Sequence, residues 1–289
     1  ENLGIHERRI TKENECTSDM ASHAAKRAIL DSGLDVLDIE LIIVATATPD
    51  RPAPSTACIV QEKIGANNAA AFDVSAVCSG FLFSLSIASQ YLKSKMFKKI
   101  LLIGADNFSK ITNWSDRNCI FFGDGAGAVV LQNSEDCGIL AQRIYSDGRG
   151  KFKFTVPSGG SENPIDSKVL LDKSNFFLMD GKSVYETGTK VLPKAIHQVL
   201  NDAKLSISDI DLLIPHQPSL KTLKKTSEII GLPWSKVMVN MNKYANTAGA
   251  TIPLLLDQVN KSKKIINGSK ILMAAVGSGW TYGSLILRW

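Results

Sequence analysis

The sequence predicts an α/β fold built from two duplicated halves, and two observations support this prediction. Apolar, strand-like runs alternate along the chain with segments of helical spacing, as in proteins whose helices cover a sheet. In addition, residues 34–43 are similar to residues 205–214, and Lys99-Ile100-Leu101 matches Lys270-Ile271-Leu272. The two matches share one offset in numbering, 171, since 205 − 34 and 270 − 99 give the same value. A shared offset indicates an internal duplication.

Each half is predicted to run through a helix, a strand, a second helix, a second strand and a buried central helix. Residues 18–30 and 183–201 are predicted to form helices that cover a sheet. Three predicted strands are nearly continuous apolar runs, as in strands buried on both faces: residues 41–45, 100–103 and 271–275. Further strands are predicted at residues 69–74, 128–131 and 138–145. We place the boundary near residues 132–138 and predict two domains, residues 1–135 and 136–289.

The duplication also makes a prediction about the start of the chain. The second half opens with the strand predicted at residues 138–145, and the offset of 171 places the counterpart of that strand before Glu1. We therefore expect the first strand of the first half to precede residue 1.

The composition indicates a folded protein with a large core. The chain has 289 residues, of which 44% are hydrophobic and 21% charged, which argues against disorder. The net charge of +5 is lower than the net charge usual for a nucleic-acid-binding protein. It suits an acidic partner or a phosphorylated ligand, although ordinary lysine-rich solubility gives the same balance. Residues 69–88 are mostly apolar, but Asp73 and the turn at Ser79-Gly80 interrupt them, so we expect no membrane span. Because the net charge is modest, we expect no nucleic-acid partner.

The cysteines predict no metal site and no disulfide framework, because they are scattered and form no C-x-x-C pair. Free thiols in odd number fit a reducing cytoplasm, where we expect the protein to work. The five positions are Cys16, Cys58, Cys78, Cys119 and Cys137.

Cys78 lies in the most informative segment of the chain. It follows an apolar, strand-like run and directly precedes Ser79-Gly80 and a helical pattern. A thiol at the N-terminus of a buried helix faces unpaired N–H groups and the helix dipole, which are expected to lower its pKa. Cys78 is therefore a candidate nucleophile, although a lone buried cysteine is more commonly inert.

Two further residues are ordinary when each is considered alone. His216 ends an apolar strand, where a histidine often only bonds to the backbone, and Asn246 lies in a small-residue turn before a helix. The segment Gly123-Asp124-Gly125-Ala126-Gly127 is similar to a phosphate-binding loop, but a predicted strand follows it where such a loop requires a helix. We interpret that segment as a tight turn.

Together, these segments resemble the β-ketoacyl-acyl-carrier-protein synthase III family of the thiolase superfamily. The motifs around Cys78, His216 and Asn246 occur in the family's order and spacing, and the glycine-rich segment 277–284 completes the set. The resemblance extends from Gly4 to the end of the chain. It implies the five-layered α-β-α-β-α thiolase fold, with the glycine turn at residues 123–127 packed near the active site.

The resemblance implies a decarboxylating Claisen condensation in two stages. A primer acyl group passes from coenzyme A to Cys78, and the enolate formed from malonyl-acyl carrier protein then attacks the acyl-cysteine. The family assigns the enolate oxygen to His216 Nε2 and the Asn246 amide, and a second oxyanion to the backbone N–H groups of Cys78 and Ser278. Coenzyme A enters as a substrate thioester, and no cofactor is expected.

The resemblance also suggests binding residues. The family uses basic residues near Lys221, Lys224 and Lys225 for the coenzyme A phosphate and for docking acidic carrier protein. The three lysines would share one helix face, but a merely solvated lysine face explains them equally well. Arg117 corresponds to a family arginine at the pantetheine-adenosine entrance, and Ser219 lies in the loop that normally helps to hold pantetheine.

Some positions depart from the family's pattern and bear on which acyl donor is used. Pro218 and Ser219 stand where the family usually has Ala-Asn, and Asn2 stands where relatives often have an arginine for the adenine clamp. The resemblance implies a homodimer with residues 69–74 as its edge strand. Ala53 stands where relatives place a bulky aromatic at the end of the acyl tunnel, so a longer or branched primer could fit.

The sequence leaves three functions open. The first is the condensation above, in fatty-acid initiation or in a secondary-metabolite pathway. The second is a thiolase-fold acyltransferase that acts on a non-malonyl acceptor. The third is a non-catalytic subunit that binds acyl-CoA or acyl carrier protein, although such a subunit has no need of Cys78, His216 and Asn246 together.

Overall fold

The computed structural model describes residues 3–289, so Asn2 lies outside the described residues. The helices are α1 (Thr17–Ser32), α2 (Thr56–Ile64), α3 (Gly80–Lys93), α4 (Ser167–Asp172), α5 (Gly181–Ala203), α6 (Leu220–Ile230), α7 (Met241–Tyr244) and α8 (Thr251–Lys261). The strands are β1 (Leu41–Ala45), β2 (Ala70–Val74), β3 (Lys99–Asp106), β4 (Gly125–Gln132), β5 (Gly138–Ser146), β6 (Phe154–Thr155), β7 (Leu178–Met179), β8 (Leu212–Pro215), β9 (Lys270–Gly277) and β10 (Thr281–Arg288).

Two four-stranded sheets and three helical layers form the five-layered fold that the resemblance implied. The first sheet has the order β2-β1-β3-β4, and the second has the order β5-β10-β9-β8. Helices α1 and α2 cover the outer face of the first sheet, and α5 covers the outer face of the second with α6 packed beside it. Helices α3 and α8 lie between the two sheets. The predicted thiolase fold is confirmed.

The two halves repeat each other along the chain. Strands β1 and β8 begin at Leu41 and Leu212, and β3 and β9 begin at Lys99 and Lys270, so both pairs keep the offset that the sequence showed. The predicted boundary at residues 132–138 spans the connection from β4, which ends at Gln132, to β5, which begins at Gly138. The halves differ at two strands. Residues 241–244, the counterparts of the start of β2, form the short helix α7, and β5 has no counterpart among residues 3–289. The first strand expected before Glu1 stays a prediction.

The central helices are apolar because they are enclosed on both sides. Phe81, Leu82 and Leu85 of α3 pack into the same cluster as Ile252 and Leu255 of α8. A helix that is buried between two sheets needs apolar side chains around most of its circumference. Within residues 3–289, no helix combines the length and the apolar character that a membrane span requires.

Glycines allow the two halves to approach at main-chain distance. A Cβ atom at Gly104 of β3 would lie 2.3 Å from the carbonyl oxygen of Gly249, and one at Gly127 of β4 would lie 2.7 Å from the nitrogen of Leu254. These contacts are with backbone atoms, which cannot move aside as a flexible side chain can. The contact between the halves therefore depends on the missing side chains.

We expect Gly104→Ala to lower the free energy of unfolding by about 1–3 kcal/mol, because the added methyl group collides with the backbone of Gly249. Urea denaturation followed by circular dichroism measures the change. Gly148→Ala is the matched control, since no heavy atom lies within 4 Å of its added Cβ. Equal stability of Gly104→Ala and the control would contradict the contact.

Candidate active site

A cavity of about 410 Å³ brings together the three residues that the sequence singled out. Cys78 comes from the first half, and His216 and Asn246 come from the second. The cavity is formed mainly by apolar and aromatic side chains. Its other lining residues are Leu3, Phe121, Phe122, Phe154, Met179, Gly181, Lys182, Val184, Tyr185, Pro218, Ser219, Lys221, Thr222, Val276, Gly277 and Trp280.

Cys78 lies where the sequence predicted it, at the start of the buried central helix. A 3₁₀ turn over Val77–Ser79 continues into α3, and Val77 has φ 47°, an uncommon conformation for a β-branched residue. The segment beginning at Thr281 fixes this turn, because Ser79 Oγ donates to the Thr281 carbonyl and Thr281 Oγ1 donates to the Ala76 carbonyl. The backbone around Cys78 is thus fixed by the second half of the molecule.

The pKa of Cys78 departs from the sequence-based expectation. Burial raises the pKa of the thiol, and the nearby Asp106 carboxylate raises it further, whereas a hydrogen bond to the Asn246 amide lowers it. The expectation of a lowered pKa from the helix N-terminus is therefore wrong for the resting site. Withdrawal from water outweighs the helix N-terminus when the thiol is almost completely buried. The free energy needed to form the Cys78 thiolate is therefore part of the activation barrier for acylation.

His216 follows directly after β8 and is nearly completely buried. Its backbone N–H donates to the carbonyl of Ala274, which aligns the residue with the neighbouring strand. Burial lowers the pKa of His216 to about 3, so the imidazole is neutral at physiological pH. A neutral imidazole is the form that can donate from Nε2 without a counter-ion.

Asn246 is held so that its amide nitrogen faces His216. Its Oδ1 accepts a hydrogen bond of 2.8 Å from the backbone N–H of Ala248, and its Nδ2 lies 3.5 Å from His216 Nε2. The backbone of Asn246 pairs with that of Phe122. Because Oδ1 is already occupied, the NH₂ group is the part of the amide that remains for a ligand.

The glycine turn supports this arrangement. Gly123 donates its N–H to the Asn246 carbonyl, and a Cβ at Gly123 would lie 2.6 Å from the carbonyl oxygen of Tyr244. Strand β4 begins at Gly125, so the segment runs into a strand, as the sequence predicted. The close approach of the backbone to the second half explains the glycines.

The predicted binding residues on α6 are separated by the structure into two groups. Lys221 lines the cavity, with its Nζ 4.7 Å from the centre of the Tyr185 ring, and Ser219 caps the helix by accepting from Thr222 N. Lys224 and Lys225 are exposed on the same helix but do not line the cavity.

Three further predicted residues lie away from the cavity wall. Arg117 and Ala53 are exposed, and neither lines the cavity of this single chain. Ser278 is also absent from the lining, because its hydroxyl donates to the Phe154 carbonyl while the neighbouring Gly277 faces the cavity.

Sequence reasoning missed the aromatic cluster beside the nucleophile. Phe108, Phe122, Phe154 and Phe177 contact one another and belong to the same buried cluster as Cys78. Phe108 and Phe122 are stacked with their ring centres 4.5 Å apart. These rings come from separate segments with no shared spacing, so no sequence pattern could have brought them together.

The low pKa of His216 predicts a pH-dependent contribution to stability. An unfolded histidine binds a proton near pH 6.5, whereas folded His216 does so only near pH 3. The stability that neutral His216 contributes is therefore present above pH 6.5 and is lost as the pH falls towards 3. Relative to His216→Gln, the wild type should lose about 2 kcal/mol of unfolding free energy between pH 7 and pH 5.

Urea denaturation of both proteins at the two pH values measures this difference. The comparison cancels other groups, including Asp106, whose pKa burial raises to about 6. A constant difference between the two proteins across this pH range would show that His216 is not buried in its neutral form.

Comparisons with known proteins identify the family of the chain. Models of 3-oxoacyl-[acyl-carrier-protein (ACP)] synthase III and of its C-terminal part match residues 72–148 and 200–289. The β-ketoacyl-[acyl-carrier-protein] synthase III of Clostridium acetobutylicum is 44% identical, over 99% of this chain and 88% of that protein.

Solved structures give the same result. The 3-oxoacyl-[acyl-carrier-protein] synthase III of Aquifex aeolicus superposes with a TM-score of 0.92 at 38% identity, over 99% of this chain and 89% of the other. The priming β-ketosynthase of the R1128 polyketide biosynthetic pathway superposes with a TM-score of 0.90 at 30% identity, over 99% and 85%. The chain therefore belongs to the β-ketoacyl-acyl-carrier-protein synthase III family of condensing enzymes.

Proposed function

We propose that the protein transfers a primer acyl group from acyl-CoA to Cys78 and condenses it with malonyl-acyl carrier protein, with loss of CO₂. The observation that carries this proposal is one apolar cavity that holds a thiol from the first half and two neutral hydrogen-bond donors from the second. The relatives at 40–44% identity named as β-ketoacyl-[acyl-carrier-protein] synthase III support fatty-acid initiation as its role.

In the first step, the sulfur of Cys78 attacks the thioester carbonyl of the acyl-CoA. The bond between the carbonyl carbon and the coenzyme A sulfur then breaks, and the departing thiolate takes up the proton that Cys78 releases. We assign the transient oxyanion to the backbone N–H groups of Cys78 and Ser278. The contact is through main-chain atoms, so a serine at position 278 serves as well as a glycine.

In the second step, malonyl thioester loses its carboxylate as CO₂, and the electron pair moves to an enolate. The enolate oxygen accepts hydrogen bonds from His216 Nε2–H and from the Asn246 NH₂ group, whose nitrogen atoms lie 3.5 Å apart. The enolate carbon then attacks the carbonyl of acyl-Cys78, and the cysteine sulfur leaves with the electron pair of the broken C–S bond and takes up a proton from solvent to restore the thiol. Both donors are neutral, so they stabilise the developing charge without binding the anionic malonyl carboxylate as an ion pair.

The entrance to the cavity suits phosphorylated and acidic partners. Lys221 stands at the cavity wall, with Lys224 and Lys225 further along the same helix and Arg117 on the surface of the first half. We propose that these residues and Ser219 bind the coenzyme A thioester and the acyl carrier protein. The net charge of +5 supports an acidic partner.

We also propose a homodimer in the cytoplasm. Strand β2 is the edge of the first sheet and is only partly buried, so it can pair with the same strand of a second copy. Ala53 is exposed in one chain, as a residue that reaches a partner's acyl tunnel would be. All five cysteines are free, which suits a reducing compartment.

The remaining alternatives predict different products. Similarity to the priming β-ketosynthase of a polyketide pathway keeps a secondary-metabolite role as the second candidate. Transfer to a non-malonyl acceptor would release no CO₂. A non-catalytic subunit would not need two donors directed at one point beside a thiol.

Incubation with an acyl-CoA should add one acyl group to the peptide that contains Cys78, and Cys78→Ala should take up none. Mass spectrometry of the intact protein and its peptides measures this transfer. Cys119→Ala is the control, because Cys119 lies outside the cavity lining and should leave acylation unchanged. Acylation of Cys58 or Cys119 in place of Cys78 would contradict the nucleophile assignment.

His216→Ala and Asn246→Ala should retain acylation of Cys78 but decarboxylate malonyl thioester about 10²–10³-fold more slowly, because each removes one donor to the enolate. Release of labelled CO₂ in the absence of a primer measures this step directly. His197→Ala on the exposed side of α5 is the control and should decarboxylate at the wild-type rate. A wild-type rate in either His216→Ala or Asn246→Ala would show that its donor is not used.

A further inference from the structure

The turn that carries Cys78 has a structural counterpart in the second half of the chain, and that counterpart contains no nucleophile. Val77 and Ala248 are related by the offset of the duplication, and both have left-handed backbones, with φ of 47° and 48°. Each begins a 3₁₀ turn that continues into a central helix, α3 or α8. By the same offset, the counterpart of Cys78 is Gly249. The N–H group of Gly249 therefore corresponds to the Cys78 N–H group, to which we assign an oxyanion.

The strand ends that face these two turns differ in one decisive respect. Asp106 at the end of β3 and Gly277 at the end of β9 are also counterparts in the duplication. Asp106 Oδ2 accepts a hydrogen bond of 2.7 Å from Gly249 N. In the other half, Gly277 lies so close to Cys78 that a Cβ there would be 3.0 Å from Cys78 N. The Gly249 amide, which corresponds to the Cys78 oxyanion donor, thus donates to the Asp106 carboxylate. Gly277 has no side chain that the Cys78 amide could bond in the same way.

The surroundings of Asp106 are built for an anion. The side chain is completely buried, and its Oδ1 accepts from Ala47 N at 2.8 Å and from the hydroxyls of Thr48 and Thr46 at 3.1 and 3.2 Å. Among residues 3–289, no lysine or arginine pairs with it. All four partners donate, so an asparagine would turn its NH₂ group towards at least one N–H or O–H donor.

The bond from Asp106 leads directly to the catalytic amide. Gly249 follows Ala248, whose N–H donates to Asn246 Oδ1 over 2.8 Å. This bond leaves Asn246 Nδ2 facing His216 Nε2 and the cavity. Displacement of the turn at residues 248–250 would therefore rotate or release the Asn246 amide.

We propose that Asp106 is a positioning residue, a carboxylate bound by the Gly249 amide that holds the turn at residues 248–250 and so orients the Asn246 NH₂ group towards the substrate. In the second half, the amide that corresponds to the oxyanion donor is thus part of a fixed structural contact with Asp106. This inference rests on the proposed function only where it assigns the Asn246 amide to the enolate.

The same charge has a second, opposite effect on the site. Asp106 raises the pKa of the Cys78 thiol. Among the titratable side chains that line the cavity with Cys78, His216 is neutral because burial lowers its pKa to about 3. The others, Lys182, Tyr185 and Lys221, are the same in the wild type and in an Asp106 variant. A pH profile of Cys78 alkylation therefore reports the Asp106 charge, whereas malonyl decarboxylation reports the position of Asn246.

Asp106→Asn should change these two properties in opposite directions. Removal of the charge should shift the pH midpoint of Cys78 alkylation by iodoacetamide downwards, so that alkylation at a fixed pH is faster. Loss of the anchor should slow malonyl-thioester decarboxylation by about 10–100-fold, up to the lower end of the cost of a complete donor loss. Damage to the fold would also expose the buried Cys78 thiol and speed its alkylation, so an unchanged urea denaturation midpoint and retained acylation of Cys78 by acyl-CoA must accompany the two shifts.

Asp73→Asn is the matched control. Asp73 also accepts from two backbone amides, those of Thr56 and Ala57 at 2.7 Å each, and its pKa is likewise raised by burial, but its partners lie in α2 and not in the turn at residues 248–250. It should leave the alkylation midpoint unchanged and the decarboxylation rate within about twofold of the wild type. Parallel changes in Asp73→Asn and Asp106→Asn would overturn the proposal.

Gly249→Ala tests the same bond from the other side and serves if Asp106→Asn does not fold. Its Cβ would lie 3.0 Å from Asp106 Oδ2, so it displaces the carboxylate but keeps the charge. Decarboxylation should fall severalfold while acylation of Cys78 and its alkylation midpoint are retained. A wild-type decarboxylation rate in Gly249→Ala or Asp106→Asn overturns the proposal, whereas absence of decarboxylation in the wild type overturns the proposed function instead.

Discussion

The contact between the two halves at their shared centre is the constraint on which the rest of the structure depends. The turn over Val77–Ser79 packs against β9, and the turn over Ala248–Ala250 packs against β3, so each half supports the chemical groups of the other. The approach is close enough that Gly104, Gly127 and Gly277 cannot carry a Cβ atom without displacing backbone or tightening a contact to about 3.0 Å or less. Rigid backbone on both sides holds the reacting groups in fixed positions, which is the condition for preorganised catalysis.

Burial at this centre sets the electrostatic character of the site. It lowers the pKa of His216 and raises the pKa of Cys78, so both groups are neutral before substrate arrives. A largely apolar surrounding with two neutral side chains suits the decarboxylation step, because the malonyl carboxylate is poorly solvated there. The same burial disfavours the Cys78 thiolate, which adds to the barrier for acylation.

Much of the fold was predictable from the sequence, and the reasons are local. Strand β1 was predicted at its observed bounds because five consecutive apolar residues are buried on both faces. The meeting of Cys78, His216 and Asn246 in one cavity was predictable only because their motifs together resemble one family, since His216 and Asn246 are each ordinary when considered alone. The raised pKa of Cys78 was not predictable in the same way, since it depends on burial by distant segments and on Asp106, which belongs to another strand. The phenylalanine cluster likewise depends on packing that no single segment encodes.

The duplication explains why one half holds a nucleophile and the other holds donors. Both halves have the same left-handed turn and the same helix start, so both present a backbone amide at the same place. The difference lies in the strand ends, where glycine at 277 leaves the Cys78 amide accessible and Asp106 occupies the Gly249 amide. The buried Gly249 amide needs a hydrogen-bond acceptor. The Asp106 carboxylate, which accepts from three further donors, is that acceptor. The contact between Asp106 and the Gly249 amide then serves as a rigid support for Asn246. The difference between two otherwise similar halves thus gives the protein a single active site.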